Sequence, residues 1–298
     1  MLSTLFLLIS ASWATGLHSE EVSCPIGEDV AKQFFVLSTN EYGGFDSDGA
    51  TYSSGMQFRN YEIVTCSQNF YTALGTDMEK TWSSEEAKTI LAIIEKTRTS
   101  FQNPKLPETW ERYELAIEIY RWQGKPSPFL IELYQKATWS IRDEAVGIHE
   151  GLAGPTVADQ VLKLGSKELE KTLSSEQRKM VLFNLARVAH RNARFEQRTQ
   201  FISAFMELPD LSSTEKKTGA RFKELTEVIE PEYLEKTKFE IEKYLQDNPN
   251  DGQMLYILGD IYRRLDDMES CTKYFNAANL TNDLQEEQRQ IMQYLLKG

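Results

Sequence analysis

The residues whose types could do chemistry are few and scattered: three histidines, three cysteines and one short acidic turn sequence. His18, His149 and His190 stand far apart, none in a spacing that lets imidazoles share a metal ion, so each reads as a surface or core histidine. Asp46-Ser47-Asp48-Gly49 has the alternation that opens a calcium loop. The later oxygen ligands and the closing glutamate do not follow, and a tight turn is the better reading. The sequence contains no GxSxG, GxGxxG, Walker-type loop or HExxH. Carboxylate pairs such as Glu85-Glu86 and Glu286-Glu287 fall on helical faces and read as solvated charge. Asn279-Leu280-Thr281 is a glycosylation acceptor only in a eukaryotic host. No catalytic residue, cofactor or metal is expected from these positions.

The elements that must position any site are bounded by composition. The chain has 298 residues, 41% hydrophobic and 26% charged, which suits one extended domain or two compact ones with a sizeable core. Its 33 Lys+Arg against 45 Asp+Glu give a net charge of −12, the wrong balance for a dedicated nucleic-acid or anionic-membrane binder. Three cysteines exclude a disulfide-dense scaffold and a four-cysteine zinc site.

Met1 to Gly16, MLSTLFLLISASWATG, carries no charged side chain. Its apolar heart, Leu2 to Ile9, is far short of the ~20 residues that span a bilayer. It reads as a signal peptide, with small residues at Ala14-Thr15-Gly16 for cleavage, so the product is expected to be secreted or periplasmic, without a membrane span. A buried N-terminal strand or helix is the plainer alternative.

Residues 17–80 read as a small irregular β module, rich in glycine, with strands at Gln33–Ser38 and Tyr61–Thr65 around a turn-rich stretch. From residue 81 to 298 the texture is helical. An amphipathic run opens at Ser84-Glu85-Glu86, and others follow at 107–123, 128–143, 156–164, 175–191, 195–208, 213–229, 231–246, 252–265, 268–279 and 283–296. Short polar breaks between them predict stacked antiparallel hairpins. Leu255, Leu258, Gly259, Tyr262, Cys271, Phe275 and Ala278 follow the tetratricopeptide alternation of bulky and small residues in order. Weaker copies begin at Leu182-Leu185-Ala186 and at Leu115-Ala116. Ala116, Ala186 and Gly259 are separated by 70 and 73 positions, close to twice the period of about 34. The expected fold class is therefore mostly α, a tetratricopeptide-like helical-hairpin array with a small N-terminal β module.

With both regions in view, the chain resembles the bacterial family catalogued as domain of unknown function 2225. The resemblance rests on Cys24-Pro25-Ile26-Gly27, Phe45-Asp46 through Tyr52 and Gly55, Tyr61-Glu62-Ile63-Val64-Thr65-Cys66, Tyr71 and Ala73, and on Leu255 through Leu265. It implies an N-terminal zinc ribbon followed by tetratricopeptide-like helices. The family pattern reads CPxC at each knuckle, whereas here Gly27 and Asn69 stand at the second cysteine positions, so the zinc-ribbon-like module is degenerate. Two thiolates do not hold tetrahedral zinc tightly. If the ribbon topology persists, Cys24 and Cys66 lie together and, in an exported protein, oxidise to a disulfide. Closing such a loop contributes about 4 kcal/mol on the chain-entropy model. Free buried thiols and residual metal are the alternatives. The family brings no activity to carry over.

Function then rests on surfaces. Helical repeats leave a concave wall lined by the first helix of each pair. The repeat spacing puts Tyr113, Tyr120 and Arg121 on that wall, then Met180, Phe183, Arg187, His190 and Arg191, then Tyr256, Asp260, Arg263 and Arg264. This stripe is aromatic and basic on an acidic protein, which suits an extended peptide or its carboxylates. Pairing of each arginine with a neighbouring glutamate is the bland alternative. The expectation is an exported, non-catalytic module that binds a protein or peptide in this groove. The runner-up is a cell-envelope hydrolase with its site where the β module meets the helices; a structural part of an envelope assembly is third.

Overall fold

The computed structural model describes residues 16–53, 55–147 and 155–297. The expected signal segment lies outside them except for Gly16. The N-terminal module is built from three small antiparallel pairs. β1 (Gly16–Ser23) pairs with β2 (Val30–Ser38), β3 (Gly44–Phe45) with β4 (Thr51–Tyr52), and β5 (Ile63–Thr65) with β6 (Thr72–Leu74). The strand expected at Gln33–Ser38 is the second half of β2. Tyr61 and Glu62, expected as strand, instead end a single helical turn, α1 (Arg59–Glu62). The Arg59 side chain is held bidentately by Asp143 and its carbonyl accepts from Tyr113, which fixes that turn in place. β1 was not foreseen, because GLHSEEVS alternates too weakly to announce a strand. A disulfide joins Cys24, just after β1, to Cys66, just after β5, with their Cα atoms 6.0 Å apart.

Eleven helices follow among the described residues: α2 (Ser84–Arg98), α3 (Thr109–Trp122), α4 (Ser127–Val146), α5 (Pro155–Leu169), α6 (Ser175–Arg191), α7 (Phe195–Met206), α8 (Ser213–Glu224), α9 (Glu230–Asp247), α10 (Gly252–Arg264), α11 (Met268–Asn279) and α12 (Glu286–Leu295). Their starts are written locally. Ser83 with Glu86, Ser174 with Gln177 and Ser212 with Glu215 form capping boxes that satisfy otherwise orphaned amides. Hairpins form from α3 and α4, α6 and α7, and α10 and α11. In the last, Gly259 faces Phe275 so closely that a Cβ would stand 2.4 Å from the ring, which is why a small residue is needed at that crossing. Cys271 fills the neighbouring small buried position as a free thiol, and burial pushes it up to about 12.

The runs expected at 213–229 and 231–246 are one rod. Pro231 cannot donate to a helical bond, and a wide π turn at Leu225–Ile229 absorbs the defect without breaking the helix. The array also returns on itself. α4 packs along α9, and Tyr294 of α12 donates to Asp159 of α5 at 2.5 Å. One apolar core runs from Cys24, Ile26 and Tyr71 of the module through α2–α8, so the module shares its core with the first helices; a second core joins Ile131 to α9–α12. Among the described residues, no helix is long and apolar enough to cross a membrane.

Candidate functional site

The β3–β4 connection carries the acidic turn into the middle of the helices. Gly49 N–H donates to Asp46 O at 3.0 Å and Ala50 N–H to the Asp48 carboxylate at 3.2 Å. Asp at the first position and Gly at the fourth suit a tight turn, and Gly49 takes a φ of +85° that a side chain would resist. Asp46, Ser47 and Asp48 are all buried although each is polar.

Arginines from three helices clasp this turn. Arg142 of α4 sets one guanidinium nitrogen 2.9 Å from Asp48 and 3.0 Å from Asp46, and a second 3.0 Å from Glu230 of α9. Arg191 of α6 donates to Asp46 at 2.6 Å and to Gly43 O at 3.0 Å. Arg264 of α10 stands 3.5 Å from Asp48 and 3.0 Å from Asp260. Arg263 donates to the Ser47 hydroxyl at 2.8 Å, and Tyr256 donates to Ser47 O at 2.5 Å. Tyr52 donates to Asp46 at 2.7 Å while the Arg59 and Arg191 guanidinium groups lie over its ring, 4.8 and 4.1 Å from its centroid. Five guanidinium groups (Arg59, Arg142, Arg191, Arg263, Arg264) thus meet five carboxylates (Asp46, Asp48, Asp143, Glu230, Asp260) in the interior.

The electrostatics follow from that pairing. Burial lifts Asp46 and Asp48, but the arginines around them outweigh it and hold both below the usual carboxylate range. Burial likewise lifts Glu230, yet His190 and Arg142 hold it down to about 2. His190 lies 2.6 Å from Glu230 and is pushed down by burial more than the carboxylate lifts it. Glu230 is thus kept ionised by its contact with His190 and by the Arg142 and Arg264 guanidinium groups around it.

Half of the residues expected on the concave wall are drawn into this interior. Arg191, Tyr256, Asp260, Arg263 and Arg264 hold the turn or each other, and His190 holds Glu230. Tyr113 and Tyr120 anchor the module elsewhere: Tyr113 donates to Arg59 O at 2.6 Å, while Tyr120 donates to Asp77 at 2.6 Å and accepts from Leu74 N–H at 2.9 Å. Arg121 pairs with Glu240 at 2.9 Å. Phe183 packs on Phe205 and Phe222, Arg187 lies over Phe183, and Met180 faces solvent. Sequence reasoning missed Arg59, Arg142, Asp143 and Glu230. The one available signal was the Arg142-Asp143 pair following Ile141 inside an otherwise apolar helical stripe.

A cavity of about 320 Å³ opens beside the turn, lined by Phe45, Asp48, Gly49, Gln253, Gln288 and Ile291 among others. Of the carboxylates lining it, Asp46 and Asp48 are already ion-paired and held below the usual range, which makes them poor proton acceptors at neutral pH. The arrangement recognises a turn; it does not resemble an acid–base pair. No group of three or more His, Cys, Asp or Glu among the described residues could hold a metal ion.

A family described as an uncharacterized protein conserved in bacteria, domain of unknown function 2225, matches residues 17–295. No curated protein and no solved structure matches the chain.

Proposed function

The chain belongs to that bacterial family, and we propose that it is an exported, non-catalytic interaction module whose helical array reads an acidic turn or acidic extended peptide on its arginine-rich inner wall. The observation that carries this reading is the clasp itself. Arg142, Arg191 and Arg264 read two carboxylates, while Arg263 and Tyr256 read the hydroxyl and carbonyl of the residue between them. Such forked, charge-assisted contacts from several helices are the chemistry by which a repeat array recognises a peptide. Here the chain's own Asp46-Ser47-Asp48 occupies the wall, so a partner bearing a similar acidic turn enters by exchange with it. The Cys24–Cys66 disulfide supports a secreted or periplasmic location, because such bonds persist in oxidising compartments.

The test is complementation. Asp46→Ala/Asp48→Ala empties the carboxylate positions, and a synthetic peptide spanning residues 43–53 is titrated against it by calorimetry. Binding by the emptied protein, much weaker binding by the intact one, and loss on adding Arg264→Glu would support the reading. A folded double variant that ignores the peptide, or binds a scrambled version as well, would remove it. A pull-down from the exported fraction with the emptied protein then looks for partners whose docking segment is acidic.

A further inference from the structure

The β1–β2 hairpin reaches beyond the core, and β1 pairs with β2 alone among the described strands. Val30, Phe35, Val36 and Leu37 of β2 are exposed, Leu37 by 71%. A two-stranded ribbon is marginal by itself, and a further strand on its open edge adds a ladder of backbone hydrogen bonds.

The ladder fixes which backbone groups are free. Cys24 N–H donates to Asp29 O, closing the hairpin in the register that sets Ser23 opposite Val30 and His18 opposite Phe35. In an antiparallel pair this direction alternates, so Val22, Glu20 and His18 turn their amides and carbonyls toward β2. Leu17, Ser19 and Glu21 turn theirs outward, to an edge no described strand covers. The side chains choose the occupant. If two copies pair β1 to β1 antiparallel about a twofold axis through Ser19, Ser19 lies opposite its own copy, His18 opposite Glu20, and Leu17 opposite Glu21. His18 and Glu20 already touch at 3.1 Å within one chain, so the axis gathers two such pairs into one alternating cluster. Glu21 stays matched by Lys32 on its other side. Centring the axis on Glu20 would set like charges face to face.

We infer that the open edge of β1 is a homodimer interface, two chains joining their hairpins into a four-stranded sheet about Ser19.

Light scattering on the intact exported chain should show a dimer. Ser19→Pro removes only an outward N–H, which an edge strand tolerates, so the fold should persist while the dimer is lost, with affinity down roughly tenfold or more. Ser19→Cys should yield a disulfide-linked dimer under mild oxidation, whereas Leu17→Cys or Glu21→Cys alone should not. The native thiols do not compete, since Cys24 and Cys66 are bonded and Cys271 is buried. A wild type that stays monomeric at the highest attainable concentration overturns the inference. So does a dimer that survives Ser19→Pro, or a Leu17→Cys chain that crosslinks as readily as Ser19→Cys.

Discussion

Arg142 Nη1 stands 3.0 Å from Asp46 Oδ2 across 96 positions of chain, and the same guanidinium bonds Glu230 of α9. This one side chain joins the N-terminal module, α4 and the π-containing rod. Arg142→Ala strands two aspartates and a glutamate without their central cation. We expect a loss of about 3–5 kcal/mol of unfolding free energy, the cost of breaking a buried pair on one side. Urea denaturation monitored by far-UV circular dichroism measures it, and a loss under 1 kcal/mol would mean that the clasp contributes little to the native state.

The same cluster predicts a stepped response to acid. His190 sits below its ordinary 6.5 in the folded protein, so the unfolded chain binds more protons below that pH. Its contribution is present above pH 6.5 and is lost as pH falls from there. Asp46, Asp48 and Glu230 are held below their ordinary 3.8 and 4.5, so their contribution is present above those values and lost as pH falls toward 2. Urea midpoints between pH 8 and 3 should therefore fall in two stages. His190→Gln should flatten the first stage and leave the second.

How much of this was legible depends on range. α6 was readable to its ends at Ser175 and Arg191, because a 3.6-residue apolar period is a local signal. The same period places Arg191 on α6 and Arg264 on α10 on inward helix faces. What fills the wall was not legible: Arg191 finds Asp46 across 145 positions, and a short acidic turn looks the same whether it is solvated or clasped. Arg142 and Asp143 hid because charge in a helix normally marks the solvent face. The π turn hid because Pro231 reads as a boundary, and only packing against α4 makes continuing the rod worthwhile.

Gly259 gives a local test of the α10–α11 crossing. An added Cβ would meet Phe275 Cδ1 at 2.4 Å, and that ring is fully buried against Tyr256. Gly259→Ala gains helix propensity but overpacks the crossing, and the overpacking wins, with a net loss of about 1–3 kcal/mol. Phe275→Leu in the same chain should restore part of that loss. Thermal midpoints of the single and double variants separate the two contributions, and a stabilised Gly259→Ala would show that the crossing can open.

The Cys24–Cys66 bond closes a separation of 42 residues. On the chain-entropy model its removal costs about 4 kcal/mol, chiefly by freeing the unfolded chain. Cys24→Ala/Cys66→Ala should unfold at correspondingly lower urea while retaining its helices. The bond ties the β1–β2 turn to β5, so the extra opening should concentrate there: amide exchange should quicken at Ile63–Thr65 and Thr72–Leu74 before it does at α10. Uniform acceleration across the chain would show instead that the module and the helices open as one unit, as the apolar core shared by Cys24, Tyr71, Ile90 and Trp110 allows.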